Sequence, residues 1–271
     1  MAIVSTWKVG VAVTVSSERH AALHHLRKYQ PLRDDSRTVS LETQVELAFQ
    51  ARAATRWAAD DVPWTVFCDA VLPYCCLDEP RHSVDALRRS LLKQCGPLVS
   101  GANDAGEAAC MLNERVWDLL GVRFEPNLSP TYLAPASVIN HGSASCTGLS
   151  LLLVACCRAV GVPARCAGVA DWGDQSGNHV WVEVYSRGAW HALGACEPTA
   201  LNDTWFAERL RTADGPRILA STYMQAGSQN SLQDSALCFP LPWQDNEPDP
   251  LCVPAVDVTS RYRSQRLPSD L

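Results

Sequence analysis

The chain has 271 residues, enough to bury a sizeable core as one domain or two, with a globular composition of 47% hydrophobic and 19% charged residues. Its net charge of -6 is spread without long acidic or basic runs, which argues against nucleic acid or an anionic membrane as the main partner. No apolar stretch reaches the roughly eighteen residues that a membrane-spanning helix needs.

The first residues lack the charged start and continuous apolar run of a secretory leader, so a cytoplasmic location is expected. Trp7, Val9, Val11, Val13 and Val15 alternate, which predicts a strand. Ser17 to Tyr29 reads as helix. His20 and His24 stand one turn apart there, but no acidic third ligand accompanies them and a metal site is not expected. Asp34-Asp35-Ser36 forms a turn cluster, and Ser40 caps a helix from Leu41 to Trp57. Pro63-Trp64 and Pro73-Tyr74 punctuate a connection to a helix over Ser83 to Gln94, which Cys95-Gly96-Pro97 ends. Asp104 and Glu107 have capping-box spacing and open a helix to Leu120, stopped by Gly121. The proline-containing stretch Glu125 to Ser137 is expected to be loop.

Twelve cysteines are many for such a chain. The disulfide frameworks of short secreted domains do not fit this length, and no pair has the C-x-x-C spacing of a structural zinc site. Cys110, Cys156, Cys157 and Cys166 lie in apolar context and are expected to act as small buried hydrophobes.

Cys146 stands apart. It precedes the apolar run Leu149 to Val160, which suits a buried helix, so its sulfur belongs at a helix N-terminus. Unpaired N–H groups and the macrodipole favour a thiolate there, and the same groups can stabilise an oxyanion. Gly142 and Gly148 flank it with little steric cover. His179 opens a strictly alternating segment: His179, Trp181, Glu183 and Tyr185 share one face, and Val180, Val182 and Val184 the other. Ser186-Arg187-Gly188 turns into a second strand, Ala189 to Leu193. Glu197 follows that strand, where its carboxylate can accept the second imidazole N–H and fix the tautomer. Beyond it, a short helix over Leu201 to Leu210 and a strand over Arg217 to Met224 are expected. Loop or partly ordered tail is expected from Gly227 onward.

Two stretches carry a resemblance to a known family. Gly142 to Val169 holds Cys-x-Gly-x-Ser and Arg-Ala-Val-Gly-Val-Pro-Ala-Arg, and Asn178 to Thr199 holds Asn-His-Val-Trp-Val-Glu-Val-Tyr and Trp-His-Ala-Leu-Gly-Ala-Cys-Glu-Pro-Thr. They resemble the core of the transglutaminase-like superfamily, papain-like cysteine enzymes. Asp257 to Tyr262 fits bacterial-type members more loosely.

The resemblance implies Cys146 as nucleophile, His179 as general base and acid, and Glu197 as third member, where many relatives have aspartate. Asp171, Asp174 and Asp203 are substitutes for that third place. Trp117 is a candidate second oxyanion donor, and the Trp172 to Gly177 loop a contributor to specificity. The cysteine pairs of the peptide N-glycanase branch are absent, so that activity is not expected.

The expected fold is α+β, with a nucleophile-bearing helix on an antiparallel sheet. A mainly helical lobe over residues 1–125 precedes a catalytic core over 126–225, and an irregular extension over 226–271 follows it. The expected chemistry is an acyl-thioester formed on Cys146 from an amide or ester and passed to an amine or to water. A peptidase or amidase of the same fold, or a catalytically silent binding scaffold, is the alternative. No metal or organic cofactor is expected. The expected partners are a peptide, protein or small-molecule acyl donor and an amine acceptor.

Overall fold

The computed structural model describes residues 5–31, 34, 38–55, 57, 62–126, 134–173, 177–212, 215–224, 237–241 and 252–264, with side chains from residue 16 onward. The chain opens with one helix, α1 (Ser5–Lys28), not with a strand followed by a helix. The alternating valines lead directly into a strong helix former, Ser-Glu-Arg-His-Ala-Ala-Leu. Extending an existing helix costs no new nucleus, and the penalty for valine in a helix is only tenths of a kcal/mol, about 0.5 each.

In α2 (Leu41–Ala54) the cap is as expected: Ser40 Oγ accepts from the Thr43 N–H at 3.2 Å. The helix stops at Ala54, short of Trp57, because Thr55 turns extended. The connection that follows holds a short helix, α3 (Trp64–Ala70), and leads to α4 (Val84–Cys95). Of the expected turn at 34–36, residues 35 and 36 lie outside the described residues.

The next helix is α5 (Ala105–Leu120). Asp104 Oδ1 accepts from the Glu107 N–H at 2.9 Å, while Glu107 reaches back one residue further than a capping box requires, to the Asn103 N–H at 2.9 Å. Gly121 closes α5 in the left-handed region (φ 65°), a conformation that glycine adopts without strain.

Strand β1 (Arg123–Phe124) pairs in parallel with β2 (Ser143–Ala144). Between them lies α6 (Pro135–His141), where a loop is expected from sequence. Pro135 occupies the first helical turn, where its missing N–H costs nothing, so proline there marks a helix start. Residues 127–133 of that stretch lie outside the described residues.

Then come α7 (Cys146–Ala159) and strands β3 (Ala164–Val169), β4 (His179–Ser186) and β5 (Ala189–Leu193). The last elements are α8 (Ala207–Leu210), β6 (Leu219–Ser221), β7 (Ala255–Asp257) and α9 (Thr259–Ser264). Strands β3 to β7 form one antiparallel sheet in the order β5-β4-β3-β6-β7. The fold is α+β, with α7 lying on the sheet.

The alternation in β4 sets the layers. Val180, Val182 and Val184 pack with Leu149, Leu152 and Leu153 of α7 in the main core. Trp181 points to the other face, where it packs with Phe206, Ile218, Val258 and Tyr262 around α8 and α9. A third cluster joins α1, α2 and α3 through Leu26, Val45, Phe49 and Phe67.

The chain beyond Gly227 departs from the expected irregular tail, since β7 completes the sheet edge and α9 packs beneath it. The attachment is electrostatic as well as apolar. Glu183 of β4 is completely buried and accepts from Arg165 Nε at 2.9 Å, from the Tyr262 hydroxyl at 2.7 Å and from Arg261 Nη2. Cys238 and Cys252 form a disulfide, so two of the twelve cysteines are cross-linked and not simply buried hydrophobes. Cys238 bridges Pro254 across an isolated antiparallel contact, which brings the two sulfurs within bonding reach.

Glu183→Ala should leave the buried Arg165 guanidinium without its carboxylate. Breaking a buried pair from one side costs about 3–5 kcal/mol. Urea unfolding should show a midpoint lowered accordingly at unchanged slope, and a loss below about 1 kcal/mol would contradict the role given to this carboxylate.

Candidate active site

Cys146 is the first residue of α7, half-buried, with Ser145 as the N-cap. The segment leading to it is fixed by the β1–β2 pairing and by Ser143 Oγ, which donates to Glu125 Oε2 at 2.6 Å. Cys146 thus belongs to the first turn of α7, whose N–H groups have no partner within the helix. One turn further on, Ser150 Oγ donates to the Val180 carbonyl at 3.1 Å. That bond ties the N-terminal half of α7, which begins with Cys146, to the start of β4.

The His179 imidazole itself follows the alternation onto the Trp181 face. It is enclosed by aromatic rings: Phe206 at 5.0 Å, Trp205 at 5.2 Å, and Trp172 and Trp181 each at 6.0 Å between centroids. Nε2 is buried without a hydrogen-bond partner. Burial, with Arg209 nearby as the second cause, lowers the pKa of the imidazole to about 4. The ring is therefore neutral near pH 7. Arg209 lies 4.4 Å over the Trp172 ring and closes that side of the aromatic enclosure.

Glu197 sits in a turn after β5, closed by its own N–H to the Gly194 carbonyl at 3.2 Å. Its Oε1 accepts from Trp205 Nε1 at 2.9 Å, while Oε2 lies over the α-carbon of Gly194, where an added Cβ would come within 2.1 Å. Only glycine at 194 leaves room for that carboxylate. The expected bond from the imidazole to Glu197 is not formed: Oε1 is taken by the indole, and Trp205 touches both residues. Burial raises the Glu197 carboxyl above its ordinary range, the Trp205 bond partly opposing it. Among the hydrogen bonds of the described residues, none joins His179 to Cys146 either.

Asn113 holds that turn, and the sequence reading passed over it. It is fully buried in α5, and its Nδ2 donates to the carbonyls of Gly194 at 2.8 Å and Glu197 at 2.7 Å. Its Oδ1 accepts from the Cys196 N–H at 3.0 Å. Those bonds hold Cys196 in the left-handed region (φ 65°), and the Phe124 N–H of β1 adds a bond to its sulfur. The glutamate turn and the approach to Cys146 thus share one support, α5 and β1. An amide on the apolar Leu112–Val116 face of a helix is the signal that would have singled Asn113 out.

Trp117 does not serve as an oxyanion donor here. Its Nε1–H is spent inside α5, on the Asn113 carbonyl at 2.7 Å, and the ring is buried. Asp171 accepts from the Gly173 N–H at 2.6 Å in an exposed turn, and Asp203 is exposed. Asp174, and with it the middle of the Trp172 to Gly177 loop, lies outside the described residues. Ser150 is the serine of the Cys-x-Gly-x-Ser element, whereas Trp205 enters the site without a sequence motif to announce it. Among the described residues no group of three or more His, Cys, Asp or Glu side chains could hold a metal ion, and no helix is long and apolar enough to cross a membrane.

The buried imidazole should be visible in the acid stability of the protein. Histidine in an unfolded chain titrates near about 6.5, so above that pH His179 is neutral in both states and exerts no pull. Between about 6.5 and 4 the unfolded chain binds a proton that the native ring refuses, and stability falls as pH falls. At about 1.36 kcal/mol per unit, less some solvent screening, the loss is about 2–3 kcal/mol. Urea unfolding at pH 7 and pH 4 should show a loss smaller by that amount in His179→Gln than in the parent. An equal loss in both would contradict a buried neutral ring.

Comparison with known proteins agrees with this architecture. Residues 93–195 match the family model described as the transglutaminase-like superfamily, from the end of α4 through β5. Cys146 and His179 lie inside the matched span and Glu197 just beyond it. No curated protein matches the chain. Among solved structures, a candidate cysteine protease from Cytophaga hutchinsonii aligns at 20% identity and a TM-score of 0.36, covering 48% of this chain and 44% of that one. A candidate protease from Parabacteroides distasonis aligns at 9% identity and a TM-score of 0.36, covering 67% of this chain and 30% of that one. The chain thus spans less than half the length of either protein. Residues 93–195 are thus similar to the transglutaminase-like superfamily, and within that span helix α7 packs on an antiparallel sheet.

Proposed function

We propose that the protein is a cysteine-dependent acyl-transfer enzyme. The observation that carries this reading is the Ser150–Val180 hydrogen bond, which holds the Cys146 end of α7 beside the strand that begins with His179. Cys146 attacks the carbonyl of an amide or ester, and the first-turn N–H groups of α7 stabilise the oxyanion. His179, neutral at rest, takes the thiol proton and returns it to the leaving group. The thioester then passes to an amine, which His179 deprotonates, or to water.

The apolar rings around His179 favour the amine, since they leave little room for water at the base. The acyl donor is a peptide, a protein or a small amide or ester. His179 points to the face of β4 away from α7, so for it to reach the sulfur its ring must swing round the start of the strand, and Trp205, which lies against the imidazole and holds the Glu197 carboxylate, must shift. The same contact favours a second reading, a silent scaffold in which Trp205 stays in place.

Activity on a glutamine or ester donor with a fluorescent primary amine should give an amide product, and a thioester detectable by intact mass after acid quench. Cys146→Ala should remove both. Failure of every donor and amine, with Cys146 no more reactive toward alkylation than the other free cysteines, would favour the scaffold.

The acid limb of kcat/KM should lie near pH 4 in the parent, where the buried imidazole titrates. In Trp205→Ala, which opens the ring to solvent and releases Glu197, it should move up toward about 6.5. An unmoved limb would take His179 out of the role of base.

A further inference from the structure

A second thiol stands in a prepared environment away from this site. Cys76 lies in the 71–83 connection between α3 and α4, and its half-buried sulfur borders a cavity of about 50 Å³ between that connection, α4 and α7. This volume admits a few molecules the size of water. The sulfur receives the Cys166 N–H at 3.2 Å, lies 3.3 Å from Ser221 Oγ, and is approached by Arg158 Nη2 at 4.0 Å. Cys166, whose N–H makes the first of these bonds, lies in the middle of β3.

The cavity wall carries three arginines, Arg81, Arg88 and Arg158, and one carboxylate, Glu79, which pairs with Arg81 and accepts the Cys76 N–H at 2.8 Å. Arg158 is buried and spends its other N–H groups on the carbonyls of Ala164, Pro73 and Cys75. Arg88 is 6% exposed, bonds the carbonyls of Val71 and Leu72 and the Gln44 side chain, and keeps a buried Nε–H without an acceptor. Neither guanidinium has a carboxylate partner among the described residues. A cavity with a sulfur anion site on one wall and an unused cationic donor on another fits a small polar reactant that leaves as an anion.

We propose that Cys76 is a peroxide-reactive thiol and Cys166 its resolving partner. The Cys76 thiolate attacks one oxygen of hydrogen peroxide and the O–O bond breaks. Sulfur is oxidised to the sulfenic acid, the peroxide is reduced, and the departing hydroxide takes up a proton to leave as water. The Cys166 sulfur then attacks the sulfenic sulfur. The S–O bond breaks, the hydroxide leaves with the Cys166 proton as a second water, and a Cys76–Cys166 disulfide remains.

The surroundings favour the first step. Burial and the Glu79 carboxylate oppose ionisation of Cys76, but the bond from Cys166, the charge of Arg158 and the bond from Ser221 outweigh them and bring the thiol down to about 7. Cys166 is held the other way, well above the ordinary thiol range, by burial and by its bond to Cys76. One of the two is therefore the nucleophile and the other the proton-bearing partner. Cys95 and Cys156 form another pair of interacting thiols, but both are completely buried and neither borders this cavity. They serve as an internal control.

The test is oxidation of the full chain in a Cys146→Ser background, which removes the competing nucleophile of the proposed active site. Limiting hydrogen peroxide is added at pH 7, then a dimedone-type trap or a thiol block, and peptides are mapped by mass spectrometry. The expected result is a Cys76–Cys166 linked peptide forming at least about ten times faster than any Cys95–Cys156 product. With the trap present, the adduct should fall on Cys76 and not on Cys166. In Cys166→Ser the sulfenic acid at Cys76 should persist; if that variant does not fold, trapping in the Cys146→Ser background alone decides which sulfur is attacked. Absence of the linked peptide, or oxidation of Cys76 no faster than of Cys95 and Cys156, overturns the proposal.

Discussion

The contact on which the molecule depends is the burial of α7 against the valine face of β4. Val180, Val182 and Val184 meet Leu149, Leu152 and Leu153, all almost completely withdrawn from water. At about 25 cal/mol per Å² of apolar surface, each such side chain contributes roughly 1.5–3 kcal/mol. Because strand side chains repeat every second residue, a slip of one residue would turn all three valines outward. The register is therefore tightly held, and with it the height of Cys146 along the sheet. Ser150 adds direction to an otherwise non-directional contact, since its hydroxyl donates to the Val180 carbonyl.

That same register sends His179 and Glu183 to the opposite face, where two polar groups meet very different surroundings. Glu183 is fully buried yet supplied with two arginines and a tyrosine hydroxyl. His179, four residues earlier, is packed among aromatic rings with Nε2 unpaired. A satisfied buried charge stabilises; an unsatisfied buried base is a cost the fold carries. Of the two, the one that departs from good packing practice is the one in the candidate site, which is where such departures concentrate.

Much of this was legible in the sequence because it depends on local rules. The caps at Ser40 and Asp104, the glycine stop at 121 and the β4 alternation are each decided within a few residues, and each appears as read. The placement of Cys146 on the first turn of a buried helix follows from the same kind of signal. The N-terminal valines misled because alternation over a short stretch cannot tell a strand from a helix without knowing whether a neighbouring strand exists to pair with it. The ties between distant residues were not legible. Asn113 to the Glu197 turn spans 84 residues, and nothing in the local pattern of either stretch points to the other. The intervention of Trp205 between Glu197 and His179 is likewise a product of the folded chain, since an indole eight residues after a glutamate has no fixed meaning.

The closing of the sheet by its last strand bears on the order in which the molecule can be assembled. Strand β3 pairs with β4 at short range, but β6 finds β7 only across more than thirty residues, and Glu183 meets Tyr262 across 79. Long-range pairings of this kind form late, because loop closure must come before any contact rewards it. Until residues 255–264 dock, the aromatic face of the sheet lacks the cover that Val258 and Tyr262 supply, and Glu183 has only Arg165. A nascent or partly folded chain can therefore hold α7 in place over its valines while the edge of the sheet that β7 completes is still open.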